Sequence, residues 1–492
     1  MSDRPTVAIA GATGFVGTEI RKALAGDYHL VGLTRSATRA GRTDPDDPVE
    51  WRRCDLFSLL ELERGLEGAD YAVYLVHSML PSSRLTQGTF ADLDLVLADN
   101  FARAAEHNGV KQVVYLSGLL PDDREDLSRH LRSRFEVEQT LAARSTPVTT
   151  LRTGLVVGPG GSSLRILVNL VRRLPAMVLP KWTESDTQPV ALRDVVRAVR
   201  LVLGRPARFD GVFDVAGPEV MTYREMMERT ARVMRLDRPM FGVPFITPRL
   251  STLWVSLVSG SPRALAGPLV ASLKHDMVVR DNPVQEAIAP GALDFDDALR
   301  ASLDAEGHLL PDPRTPLREP DARVIREERL VRSVQRFPLP PGRSAAWAAQ
   351  EYLRWLDRFA GPLLNVEVAG LGADGPGAQT VARFYVRPVP RPVLELTYSP
   401  DRSHPDRALF YVTGGLLHKP DTPHRGRLEF RQVLGGRTLL AGIHDFAPRL
   451  PWRLYQATQA LAHLFVMHEF GRHLRRLVGR AGAAAAGAPA PA

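Results

Sequence analysis

The chain is poor in cysteine, in lysine and in long apolar runs, and each shortage excludes something. One cysteine in 492 residues, Cys54, rules out an intramolecular disulfide and any cysteine-built metal site. It sits in WRRCDLF at the end of an expected strand and reads as a buried, inert thiol. No apolar run reaches the length that spans a bilayer, so no transmembrane segment is expected. The first residues, MSDRPTVAIAGATG, hold no charged leader with an apolar core and cleavage site, and the expectation is a cytoplasmic protein. Only five of the 63 basic residues are lysine, an arginine excess that reads as coding bias.

Charge is uneven. From residue 331 onward stand 21 Lys+Arg and 11 Asp+Glu, a surplus of +10, while the first 330 residues carry 42 and 44. A basic region attracts nucleic acid, anionic lipid or acidic ligands, or is a solvated surface. No nucleic-acid module is present, and the solvated surface is favoured.

Length alone suggests two domains. Residues 1–152 alternate β-rich runs (TVAIAG, YHLVGLTR, VEWRRCD, YAVYLVH, KQVVYLSG, PVTTLRTG) with stretches of helical periodicity. Such alternation predicts an α/β fold, a doubly wound parallel sheet covered on both faces. Residues 153–283 are broken by Pro159, Pro175, Pro180 and Pro189 and read as a substrate-facing lobe. Residues 284–335 are read as a proline-rich linker, on PDPRTPLREPD and the FPLPPGR that follows. Residues 336–480 give a helix, at least five β-runs and a long closing helix, an α+β domain compatible with a helix-grip fold. Residues 481–492, alanine- and proline-rich, read as a disordered tail.

The first strand runs into Gly11-Ala-Thr13-Gly14-Phe15-Val16-Gly17 and a helix opens behind it. Gly11 permits the tight turn, Gly14 lets backbone approach a pyrophosphate, and Gly17 allows close helix–strand packing. The anion rests on the N–H groups of the helix start. At the first strand–helix junction of a βαβ pattern, the triplet predicts dinucleotide binding. The second strand ends in Thr34-Arg35-Ser36 with no acid before Asp44. Arg35 suits a 2′-phosphate, which favours NADP(H) over NAD(H), though NAD(H) stays possible; an arginine that only covers the sheet edge is the alternative. Asp55, after the third strand, suits either the adenine amino group or the cap of a helix starting near Leu56.

These residues resemble the short-chain dehydrogenase/reductase superfamily, in its atypical extended branch that includes the NmrA-like proteins. The resemblance covers roughly residues 5–283 and rests on GATGFVG, LTR, CDL, VVYLSGL, LRTGLVVGPGG, PVALRDVVRAV and FDVAGPEVMTYREMM. It implies a Rossmann fold with a bound nicotinamide nucleotide, with Leu56 among its contacts and Val76, His77 and Ser78 beside it. It also implies that Leu155 to Gly158 and Asp194 line the substrate side. The family's catalytic Tyr-x-x-x-Lys pair is absent: His130 stands at the tyrosine position, Arg134 at the lysine position, and Ser117 matches the family's serine.

Two readings follow. In one, an oxidoreductase acts on a small carbonyl or alcohol substrate: His130 is the general acid–base, Ser117 polarises the carbonyl and Arg134 holds ribose or phosphate. In the other, the nucleotide binds without hydride transfer, in a sensor or assembly factor. For the C-terminal domain alone, binding of an apolar ligand is a third reading. The domain resembles a poorly characterised one that follows the Rossmann domain in some bacterial members of the branch. Its His463, His468 and His473 recur every five residues, which turns them around the helix, so no metal site is expected. The oligomeric state is not legible in the sequence.

Overall fold

The computed structural model describes residues 4–41, 48–77, 85–124, 126–243, 256, 267, 270–312, 314, 330–361, 363–371, 376–419 and 425–486. The chain forms two compact units, Met1–Met79 with Leu97–Arg318, and Leu80–Val96 with Glu319–Ala492. Among the described residues no helix is long and apolar enough to cross a membrane.

The first unit is built on a sheet of seven strands: β1 (Thr6–Ala10), β2 (His29–Thr34), β3 (Val49–Arg53), β4 (Tyr71–Tyr74), β5 (Gln112–Gly118), β6 (Val148–Thr153) and β7 (Gly211–Val215). Their spatial order is β7-β6-β5-β4-β1-β2-β3, and every neighbouring pair is parallel. Both faces are buried because successive side chains of each strand point to opposite sides. Val7 and Ile9 pack with Ile20, Leu24, Val195 and Val199 on one face. Ala8 and Ala10 pack with Leu62, Phe101, Val137 and Leu141 on the other. Helices therefore cover both faces, as the alternating sequence requires. The order reverses between β1 and β4, which opens a crevice at their C-terminal ends.

A third core joins Leu164, Leu167 and Leu170 of the helix Ser162–Arg173 to Met226 and Met227 of the helix Tyr223–Val233. The latter opens with a capping box, Thr222 with Glu225. Residues 283–300 correct the linker expectation at its start. They form the helices Pro283–Ile288 and Phe295–Arg300, whose Val284, Ile288, Phe295 and Leu299 are buried in the first unit. Pro283 begins a helix here, with Asn282 accepting from Val284 and Gln285 N–H. Residues 315–329 of that stretch lie outside the described residues.

The second unit holds an eight-stranded sheet. The order is Leu364–Leu371, Pro376–Val386, Leu394–Tyr398, Arg407–Gly414, Arg427–Val433, Thr438–Phe446, Val331–Pro338 and Leu85–Gln87. All neighbours are antiparallel except the last pair, which is parallel. Two of these strands are not expected from the sequence: Val331–Pro338, in the proline-rich stretch, and Leu85–Gln87, from the first hundred residues. Tyr352, Leu353, Met467 and Phe470 of two helices share a core with Phe410 and Phe430 of the sheet. The last helix, Gln459–Ala486, reaches past the expected start of the tail at 481.

Part of the arginine surplus is buried here. Arg407, Arg427 and Arg431 all donate to Glu429, and Arg332 and Arg427 to Asp445. Burial alone would raise the Glu429 carboxyl; the three guanidiniums outweigh it and hold it well below the usual carboxylate range.

One ion pair fixes the helix Arg129–Leu141 to the first sheet. Arg152 of β6 donates twice to Glu138 of that helix, at 2.9 and 2.7 Å, with both side chains buried. Removing one partner leaves the other as an uncompensated buried charge. Glu138→Ala should therefore cost about 3–5 kcal/mol in the unfolding transition of the first unit, read by urea denaturation. A loss below about 1 kcal/mol, the worth of an exposed pair, would contradict this.

Candidate functional site

At the end of β1, Gly11 takes φ +89°, the left-handed region, with Leu75 Cβ only 3.1 Å from where its own Cβ would stand. Gly14 N–H donates to the Gly11 carbonyl at 2.9 Å, which closes the turn around Thr13. Gly14 then caps the helix Phe15–Leu24 with an extended backbone and no side-chain bond. Thr18 is the first residue whose N–H bonds back, to Gly14 O at 3.0 Å. Helix geometry leaves the N–H groups of Phe15, Val16 and Gly17 without an intrahelical acceptor, at the positive end of the helix dipole. A Cβ on Gly17 would stand 2.2 Å from Gly11 O, so only glycine lets helix and strand approach this closely.

After β2 the loop is ordered by its own side chains. The Thr34 hydroxyl accepts from Ser36 N–H at 3.1 Å, and the Ser36 hydroxyl from Arg39 N–H at 3.2 Å. Arg35 projects from this loop, exposed. The Arg39 guanidinium lies 5.0 Å from the Trp51 ring centre. After β3, Asp55 accepts from Phe57 N–H at 3.1 Å and its own N–H donates to Glu61. The helix begins at Leu59, and its cap is Ser58, which accepts from Glu61 N–H at 3.3 Å. The expected cap at Asp55 is thus corrected: Asp55 shapes the turn before the cap. Leu56 and Val76 pack, partly buried, against the core of one sheet face. Ser78 lies outside the described residues.

A cavity of about 470 Å³ runs from the glycine turn into the lobe. It brings together Gly11, Gly14, Phe15, Val16, Gly17, His77, Ser117, His130 and Arg134. Thr13, Arg35, Asp55, Leu56 and Val76 are not in its wall. Ser117, the last residue but one of β5, is buried, and its hydroxyl makes a long contact of 3.5 Å to the Tyr115 hydroxyl. His130 and Arg134 lie one turn apart on the helix Arg129–Leu141, which Ser128 caps by accepting from Leu131 N–H. The His130 and His77 rings meet edge to face, 5.2 Å between centres. Arg134 is buried, donates one Nη2 bond to the Leu116 carbonyl and stacks 5.1 Å over Tyr115. Its Nη1 has no hydrogen-bond partner among the described residues. A buried guanidinium nitrogen left so is costly, and an oxygen of a bound molecule would satisfy it.

The lobe end of the cavity is apolar, with Leu167, Leu170, Met226, Met227 and Met277 in its wall. Trp182 and Tyr223 meet there edge to face at 6.2 Å. Burial pushes the Tyr223 phenol up, so it stays an O–H donor. Tyr223, Trp182 and Tyr115 were not singled out by sequence reading. The capping box of TYRE marks a helix start, but nothing in it says that the tyrosine faces a cavity. Leu155 lines the cavity, whereas Gly158 lines a separate groove. Asp194 is also a correction. It is fully buried, pairs with Arg197 at 2.8 Å and accepts from Leu293 N–H at 2.9 Å, a structural tie away from the cavity wall.

Cys54 is buried, and burial pushes its thiol up, so it stays protonated and inert. His473 contacts Glu351 at 2.7 Å, and among the described residues no group of three or more His, Cys, Asp or Glu could hold a metal.

Residues 11–166 match the family model described as NAD(P)H-binding. They are an NAD(P)H-binding domain. The unit that contains this NAD(P)H-binding domain has a Rossmann-like fold, a parallel seven-stranded sheet with helices on both faces, and the second unit holds a separate mixed sheet. The auxiliary protein GraX of Staphylococcus aureus (strain NCTC 8325 / PS 47) is 32% identical over 184 residues, 37% of this chain and 55% of that protein. The chain thus spans about half the length of that relative. Among solved structures, a nucleoside-diphosphate-sugar epimerase of S. aureus aligns at 13% identity and a TM-score of 0.49, over 60% of this chain and 99% of that one. The Citrobacter sp. triphenylmethane reductase complexed with NADP(H) aligns at 16% identity and 0.48, over 61% and 100%.

Proposed function

We propose that the protein is an NADP(H)-dependent oxidoreductase acting on a small, largely apolar carbonyl or alcohol compound. The observation that carries the reading is one cavity shared by the glycine turn, Ser117, His130 and the buried Arg134. Gly11, Thr13, Gly14, Phe15, Val16 and Gly17 would hold the pyrophosphate, and the open side of Gly14, whose Cβ would meet only Gly11 O, leaves it room. Arg35 would take the 2′-phosphate, Asp55 and Leu56 would border the adenine, and Val76 and His77 would lie beside the cofactor. When bound, the nicotinamide gives or takes the hydride.

The remaining work falls to the chain's own groups. The Ser117 hydroxyl donates to the substrate oxygen and orients it. His130 gives that oxygen its proton in reduction and removes it in oxidation, since an imidazole exchanges protons near neutral pH. Arg134 stays protonated throughout; it holds an oxygen by charge-assisted hydrogen bonding and cannot serve as a base. The apolar lobe excludes water, and the Tyr223 O–H offers a further donor to a substrate.

A second reading is favoured by the missing Tyr/Lys pair: a nucleotide-binding auxiliary protein that performs no hydride transfer. The 32%-identical relative, itself named an auxiliary protein, supports it. Under this reading NADPH binds and is not oxidised across a broad carbonyl panel.

Three measurements bear on the proposal. NADPH should bind more tightly than NADH by about 1.5–3 kcal/mol, the worth of a hydrogen bond to a charged group, and Arg35→Ala should remove the difference. Calorimetry reads this, and equal wild-type affinities would refute the NADP(H) preference. Gly14→Val should abolish nucleotide binding while the circular dichroism spectrum stays native, since the side chain would enter the pyrophosphate path; full binding in a folded variant would place the pocket elsewhere. His130→Phe should cut turnover by about 10²–10⁴-fold with NADPH affinity nearly unchanged, and His130→Tyr, which keeps a proton donor there, should retain part of the rate. A His130→Phe enzyme with wild-type turnover would remove His130 from the mechanism.

A further inference from the structure

The helix Gln459–Ala486 carries two unlike faces. Ala460, Met467, Phe470 and Leu474 are buried in the core of the second unit. Opposite them stand Leu461 and Phe465, each 59% exposed. Steps of three and four residues continue that outer face through His468 to Arg472, Arg475 and Arg476, all exposed. The helix Ala345–Ala360 extends the apolar part. Its Phe359 is 40% exposed with its ring 6.1 Å from that of Phe465, and Leu363, just past its end, is 72% exposed. A single exposed leucine needs no account, but a cluster of aromatic and aliphatic side chains beside arginines does.

We infer that this face docks on an anionic phospholipid bilayer. The four apolar side chains enter the headgroup boundary, and the arginines meet lipid phosphates. Charge decides the occupant. The chain from residue 331 on carries a surplus of +10; Arg332, Arg407 and Arg431, which bind Glu429 or Asp445, are buried, whereas Arg472, Arg475 and Arg476 of this helix are exposed. Arg472 is partly offset by Glu469 at 2.7 Å; Arg475 and Arg476 lie beyond it on the same face. A second copy would set like charge against like charge. A nucleic acid would use the arginines and have no use for Leu461, Phe465 and Leu363. The basic region read from sequence as solvated surface thus gains a partner through the apolar residues that share its face.

The test is vesicle flotation of the full chain. Vesicles containing phosphatidylglycerol should capture it, and those of phosphatidylcholine alone should not, with capture weakened by added salt. The double variant Arg475→Gln, Arg476→Gln should lower vesicle affinity about 25-fold, roughly fivefold per arginine. Leu461→Ser with Phe465→Ser should abolish capture. NADPH titration and thermal melting of each variant, unchanged, report an intact fold. Equal capture by both lipids, or variants that bind as the wild type does, would overturn the inference. So would a concentration-dependent dimer broken by Phe465→Ser without any vesicle binding, or capture by an acidic polypeptide in place of lipid.

Discussion

The Gly11 carbonyl oxygen sits 2.2 Å from where a Cβ on Gly17 would be, and this single close approach sets the geometry of the first unit. It seats the first helix against the first strand so that three N–H groups face the crevice opened by the reversal of strand order. A larger residue at position 17 would lift the helix away and turn those groups elsewhere. The cavity opens at that turn, with Gly11, Gly14 and Gly17 in its wall.

The end of the cavity lined by Ser117, His130 and Arg134 depends on a second restraint. The fork between Arg152 and Glu138 ties the helix of His130 and Arg134 to β6, one strand over from Ser117. Arginine suits position 134. Guanidinium is planar, always charged and more weakly hydrated than ammonium, so it tolerates burial against Tyr115 and the Leu116 carbonyl. The His130 imidazole meets a second imidazole, His77, edge to face in the same cavity wall.

Much of this was legible in the sequence because its signals are local. Period-two runs, period-three-and-four helices and a glycine turn each occupy a few consecutive residues and specify their own geometry. Ser117, His130 and Arg134 are joined at the sequence level only through the resemblance to a family motif, and all three line one cavity. What was not legible depends on distant partners or on small shifts. Leu85–Gln87 is three residues long, too short for any periodicity, and is a strand only because Val331–Ser333 pairs with it. Residues 284–288 look like linker until Asn282 is seen capping the helix Pro283–Ile288 that contains them. The helix cap falls on Ser58, three residues past Asp55. Tyr223 and Trp182 come from separate segments that only tertiary packing brings together.

Crystals of the full chain grown with NADPH test the central claim most directly. The account predicts density for the pyrophosphate on the N–H groups of Phe15, Val16 and Gly17, the 2′-phosphate beside Arg35, and the nicotinamide between Ser117, His130 and Arg134. A nucleotide bound away from the glycine turn, or a turn left empty at saturating NADPH, would contradict it.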